Sequence, residues 1–86
     1  MYKLFFSPQA KKDSKKVTQT GLKEKVKELL RKIENDPFCY PPEYKFLKGE
    51  LKGFVSRRIN KQHRLIYEVL EDKKIIKIYS MWTHYE

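Results

Sequence analysis

The sequence predicts an α+β fold, with two N-terminal helices packed on one face of a mainly antiparallel, twisted sheet of about five strands. Two observations lead there. Leu22, Val26, Leu29, Leu30 and Ile33 repeat at helical spacing, whereas after Pro42 the apolar period shifts toward two. The elements also run in the order strand, two helices, then strands only. That order argues against the regular strand–helix alternation of a parallel sheet.

Each element has its own local signal. Tyr2-Lys3-Leu4-Phe5-Phe6 is aromatic and apolar and reads as a first strand. Ser7-Pro8 then forms a helix start, with Ser7 as N-cap and Pro8 at the first helical position. A first helix is expected over about Pro8 to Gln19, with a thin apolar face of Ala10 and Val17. Thr20-Gly21 breaks it and can cap the second helix, which Asn35-Asp36-Pro37 ends. Phe38 to Pro42 is a proline-containing loop. Strands are expected over Tyr44–Lys48, Phe54–Asn60, His63–Leu70 and Lys74–Trp82, with a bend at Gly53 and a hairpin turn at Glu71-Asp72-Lys73.

Eighty-six residues make one domain, residues 1–86, with one modest core. No apolar run is long enough to span a bilayer, and no signal-peptide core lies near Met1. The lysines of the first helix have no apolar stripe opposite them, so a membrane surface is a poor partner. Cys39 is the only cysteine, which leaves no intrachain disulfide and no cysteine-based zinc site. A reducing cytoplasm fits.

The net charge of +9 favours an acidic partner. Residues 44–64 carry seven Lys/Arg against the single acid Glu50, while residues 9–36 carry nine against five. Three of the four arginines, Arg57, Arg58 and Arg64, fall within eight residues. Arginine grips phosphate through two donors at once, which lysine cannot do. The strand region is therefore the phosphate-binding candidate, with Lys45, Lys48, Lys52, Arg57, Arg58 and His63. Its bland alternative is a solvated strand face. Strand alternation puts Arg57 and Arg58 on opposite sides, so one substrate meets only one of them. Trp82 and Tyr85, near the end of the chain, are the stacking candidates.

The chain ends Met81-Trp82-Thr83-His84-Tyr85-Glu86, directly after the apolar run Ile75-Ile76-Lys77-Ile78-Tyr79. A histidine held at a strand end is a proton donor near neutral pH. Beside a basic surface, it suggests RNA cleavage through the 2′-hydroxyl. That reaction needs a base, a cation for the crowded phosphorane and an acid for the departing 5′-oxygen, and it requires neither metal nor cofactor. His84 is the candidate acid and Arg64 the candidate cation. Glu43, Glu50 and Glu68 are candidates for the base. Glu68 shares strand parity with Arg64 and can instead be its salt-bridge partner. His63, at a strand start, can equally serve a turn.

Leu51-Lys52-Gly53-Phe54, Ser56-Arg57-Arg58-Ile59-Asn60, His63-Arg64-Leu65-Ile66-Tyr67 and the terminal His84-Tyr85 together resemble the YoeB/Txe family of bacterial toxins. The similarity covers residues 22–86. It implies a RelE-like domain with a microbial-ribonuclease-like sheet. It also implies an endoribonuclease that cuts mRNA in the A site of the 70S ribosome, a YefM-type antitoxin as inhibitor, and a toxin homodimer. Residue by residue, the family's catalytic arginine matches Arg64, its terminal pair matches His84 and Tyr85, and its paired arginines match Arg57 and Arg58. The family's general-base glutamate falls on Lys45. Either Glu43, two residues earlier, supplies the carboxylate, or the base lies elsewhere, since a lysine base needs a strongly lowered pKa. The alternatives are an RNA- or ribosome-binding translation inhibitor without efficient cleavage, and a plain partner for an acidic protein.

Overall fold

Ser7 sets the first reversal of the chain. The computed structural model describes residues 1–82. In it Ser7 is extended and its Oγ accepts the Ala10 amide at 3.0 Å, so it caps helix α1 (Pro8–Gln19) as the Ser-Pro signal predicts. Thr20 does not open the second helix. Its Oγ1 donates to the Lys16 and Val17 carbonyls at 2.9 and 3.2 Å and so closes α1. Gly21 then turns the chain at φ +77°, where a side chain would be strained. Helix α2 (Lys23–Asn35) follows without a side-chain cap and buries Val26, Leu29 and Ile33, the predicted stripe.

Strand β1 (Lys3–Phe6) precedes the helices. Strands β2 (Tyr44–Phe46), β3 (Val55–Arg58), β4 (Arg64–Leu70) and β5 (Ile75–Ser80) follow them. The sheet order is β1-β5-β4-β3-β2, with β1 parallel to β5 and every other pair antiparallel. Three strands stop short of the predicted bounds, each for a local reason. β2 gives way to a 3-10 turn over Gly49–Leu51. β3 ends at Arg58 because Asn60 Oδ1 captures the Gln62 and His63 amides at 2.9 and 2.6 Å, a local turn that competes with the ladder. β5 ends at Ser80 because the Met81 amide is given to the Asp13 carboxylate at 3.0 Å. The hairpin between β4 and β5 is a 3-10 turn over Glu71–Lys73, closed by Lys74 in the left-handed region.

One face of the sheet carries both helices. Val55, Leu65, Tyr67, Ile76 and Ile78 pack there against Ala10, Val17, Val26, Leu29 and Ile33. By alternation, Lys45, Ser56, Arg58, Arg64, Glu68 and Lys77 project from the helix-free face. A register shift where Ile66–Tyr67 of β4 meets Ile78–Ser80 leaves Tyr79 as the extra residue of a β-bulge. Among the described residues no helix is long and apolar enough to cross a membrane.

Candidate active site on the helix-free face

Strand pairing assembles a cationic cleft. Lys45 lies opposite Ser56 and Arg58 opposite Arg64, all with one parity. Glu43, two residues before Lys45, shares that direction. These five residues, walled by Pro42 and Tyr44, line a cleft of about 320 Å³. Among the described residues no carboxylate comes within ion-pair distance of Lys45, Arg58 or Arg64. Like charges on facing strand positions destabilise a sheet. Two arginines and a lysine brought together with no ion pair to an acid among the described residues are suited to an anion supplied from outside.

The cleft separates the three candidate bases. Glu43 lines it. Glu50 is exposed on the Gly49–Leu51 turn. Glu68 pairs with Lys77, four residues along β4 from Arg64 or about 13 Å. It does not form the alternative ion pair with Arg64 that its strand parity allowed. Instead it borders a separate apolar groove of about 360 Å³ on the same sheet face, lined mainly by Phe5, Phe54, Ile75 and Tyr79.

Arg57 is a correction. It was expected to bind phosphate, yet it faces the helices and is fully buried. Its Nε donates to Tyr67 Oη at 2.8 Å, Nη1 to the Pro42 carbonyl, and Nη2 to the Pro37 and Cys39 carbonyls at 3.1 and 2.8 Å. Tyr67 Oη donates in turn to the Pro37 carbonyl at 2.7 Å, and the Tyr44 ring covers the guanidinium at 4.7 Å. Both terminal nitrogens are used on the Pro37–Pro42 loop that leads into Glu43, and Nε on Tyr67 of β4. Arg57 is therefore a strut behind the cleft.

This network titrates. Burial pushes the Tyr67 phenol up to about 12 from 10, against a smaller opposing pull from Arg57. A raised pKa means that the folded state holds the proton more tightly than the unfolded one. The resulting stability is complete below pH 10 and is lost as pH climbs through 12. Between these limits the wild type is expected to lose about 1–2 kcal/mol more than Tyr67→Phe, after allowance for solvent screening. Urea unfolding of both proteins at each end of the window measures the difference. Parallel losses would show that the phenol contributes nothing.

His63 is a second correction. Only 8% exposed, it is not available to a phosphate. Its Nδ1 donates to the Trp82 carbonyl, which fixes the proton on that nitrogen because a carbonyl only accepts. Its ring stacks on the Trp82 indole with centroids 3.7 Å apart and planes at 19°. One face of Trp82 is thereby occupied, leaving at most the other for a base. Lys48 and Lys52 are exposed at the two ends of the Gly49–Leu51 turn and do not line the cleft. His84 and Tyr85 lie outside the described residues.

Ser56 is a site residue that the charge pattern did not flag. It lines the cleft, and its hydroxyl is buried with no hydrogen-bond partner among the described residues. Its parity with Arg58 was the available signal.

Comparison with known proteins bears on the fold and the family. A family model described as a YoeB-like toxin of bacterial type II toxin–antitoxin systems matches residues 6–85. The toxin YoeB of Escherichia coli K12 is 37% identical over 59 residues, 69% of this chain and 70% of its own length. Among solved structures, a chain of a YoeB–YefM complex from Staphylococcus aureus superimposes with a TM-score of 0.81 at 38% identity, covering 99% of both chains. A chain of a YoeB dimer from the same organism gives 0.82 at 39% identity, covering 98% of both. With the family model spanning nearly its whole length and the same fold in relatives of this identity, the chain belongs to the YoeB family of type II toxin–antitoxin toxins.

Proposed function

We propose that residues 1–86 act as one endoribonuclease domain that cuts mRNA in the A site of the 70S ribosome and so arrests translation in the cytoplasm. The carrying observation is the single cleft that gathers Glu43, Lys45, Arg58 and Arg64 with no acid among the described residues within ion-pair distance of the cations. Arg64 and Arg58 take the oxygens of the scissile phosphate, and Lys45 adds a third positive charge. Glu43 accepts the 2′-hydroxyl proton as O2′ closes on phosphorus. The P–O5′ bond breaks as His84 protonates the departing O5′, with Tyr85 beside it in sequence. The products are a 2′,3′-cyclic phosphate and a 5′-hydroxyl. Where the family resemblance implies a glutamate this chain has Lys45, but Glu43 restores a carboxylate within the same cleft. Lys48 and Lys52 can reach only RNA that extends beyond the cleft.

The S. aureus relatives are seen in a YoeB–YefM complex and as a YoeB dimer. We read the same partners here, a YefM-type antitoxin and a second toxin copy. A charge of +9 and an exposed apolar groove suit an acidic antitoxin with apolar anchors.

The test is incubation with translating ribosomes and mapping of 5′ ends by primer extension. New ends bearing 5′-hydroxyls are expected, with Glu43→Gln slower by about 10²-fold or more. Arrested translation with intact mRNA would support the non-cutting alternative, and neither arrest nor cleavage would remove both. Binding to single-stranded RNA should respond to salt through Arg58. Arg58→Ala is expected to lower the slope of log K against log salt by about 0.7, measured by filter binding. An unchanged slope would take Arg58 out of phosphate contact.

A further inference from the structure

Strand register sets four side chains in a row across the helix-free face. Phe5 of β1 lies beside Lys77 of β5, and Lys77 lies opposite Glu68 of β4. Phe54, one residue before β3, falls next to Glu68 by extension of the Val55–Tyr67 pair. All four border the groove of about 360 Å³. Aromatic rings thus flank a carboxylate and an ammonium. Tyr79 adds a third ring and meets Phe54 edge to face, with centroids 5.6 Å apart. Phe5 is 52% exposed and Tyr79 38%.

An exposed apolar patch of this kind is a mark of binding. Its charges say what binds. Glu68 and Lys77 face each other across β4 and β5, yet they form no ion pair among the described residues. An apolar side chain seated in the groove would strip water from both charges and give neither a partner, which is costly. A nucleobase answers both features, with a π face for the rings and a polar edge for the charged pair. The groove is also within reach of RNA held in the cleft. Glu68 stands on the same sheet face as Arg64, about 13 Å along β4. A stacked strand advances about 3.4 Å per nucleotide, so about four nucleotides cover that distance, and fewer where the strand is extended.

The polar pair selects among the bases. A carboxylate has two oxygens to fill. Guanine alone offers two adjacent donors on one edge, N1–H and the 2-amino group, with the O6 acceptor beside them. Adenine and cytosine offer a single amino group next to a ring acceptor. Uracil offers one N–H between two carbonyls, which a carboxylate repels. We propose that this groove is a guanine-binding subsite for the RNA: Phe5, Phe54 and Tyr79 supply stacking surface, Glu68 accepts from N1–H and the 2-amino group, and Lys77 donates to O6. The subsite rests on the reading of the cleft as an RNA site. An antitoxin segment anchored in the same groove would have to satisfy the same charged pair and would then exclude the base.

The test is fluorescence anisotropy at fixed salt with a short oligouridylate, with and without one central guanosine. The wild type is expected to bind the guanosine oligonucleotide about 10-fold more tightly. Inosine, which lacks the 2-amino group, should lose much of that preference. Glu68→Gln should erase the preference, whatever its charge change does to both affinities. Phe5→Ala and Tyr79→Ala should each weaken the guanosine oligonucleotide about 5-fold or more. Arg64→Ala should weaken both oligonucleotides alike and leave their ratio unchanged. A wild type without preference, or a preference undiminished in Glu68→Gln, overturns the subsite. So do affinities indifferent to both aromatic substitutions, which would give the groove to a protein segment instead. Cleavage is read separately, by 5′-end mapping on ribosomes, where guanosine should be enriched within about four nucleotides of the cut for the wild type and not for Glu68→Gln. A preference that Glu68→Gln erases, in a protein that cuts no mRNA, keeps the subsite and overturns the endoribonuclease reading.

Discussion

Replacing Arg57 with alanine should cost about 3–5 kcal/mol of folding stability, whereas Arg58→Ala, one residue away, should stay within about 0.5 kcal/mol. The contrast follows from what each guanidinium touches. Arg58 projects into the cleft. Arg57 is fully buried, its charge solvated by the Pro37, Cys39 and Pro42 carbonyls, the Tyr67 hydroxyl and the Tyr44 ring. Alanine would remove the donor to three carbonyls at once and leave a cavity. Each buried polar group left without its partner costs about 1–3 kcal/mol. Lysine should not rescue, because one ammonium cannot span acceptors arranged for a planar fork. The effect should also reach the cleft. The Pro37–Pro42 loop would lose its anchor, and Glu43 follows it directly. Surviving folded protein should therefore cleave more slowly than its folded fraction explains. Urea midpoints for the two variants decide the matter, and similar midpoints would show that the buried network carries little.

The arginine pair also shows where sequence reasoning reached and where it stopped. Alternation separated Arg57 from Arg58, but the choice of inward face went unread because arginine is so rarely buried. Register was the missing information. Arg57 lies opposite Leu65, with Val55 opposite Tyr67, so the inward set is visible once β3 is aligned with β4. Signals that act within a few residues were legible: the Ser7-Pro8 start, the α2 stripe, and the shared direction of Glu43 and Lys45. Those that depend on distant partners were not. Asp13 meets an amide 68 residues away, and His63 meets Trp82 across 19. Neither spacing leaves a periodic trace. The cleft itself needed both kinds of information, because its cations come from β2, β3 and β4 and only the coordinates show that no acid among the described residues forms an ion pair with them.

Arg64→Ala should abolish cleavage almost completely while leaving the fold intact or slightly more stable. Removing one preorganised donor from a developing oxyanion costs about 10²–10³-fold in rate. Arg64 offers more than one N–H to a dianionic phosphorane, so the loss belongs at the upper end. Arg64→Lys should fall between, since it keeps the charge and loses the two-point grip. Stability should move the other way. Arg58 and Arg64 face each other across β3 and β4 with no carboxylate among the described residues within ion-pair distance, and deleting one relieves a like-charge contact worth a few tenths of a kcal/mol. A cleft that sacrifices stability to keep charges unpaired for a ligand should gain stability when it is disarmed. The relevant measurements are therefore paired: 5′-end mapping on ribosomes and urea unfolding of the same preparations. Loss of cleavage with a lower unfolding midpoint would mean that Arg64 is a structural residue like Arg57. Undiminished cleavage would mean that the phosphate is held elsewhere.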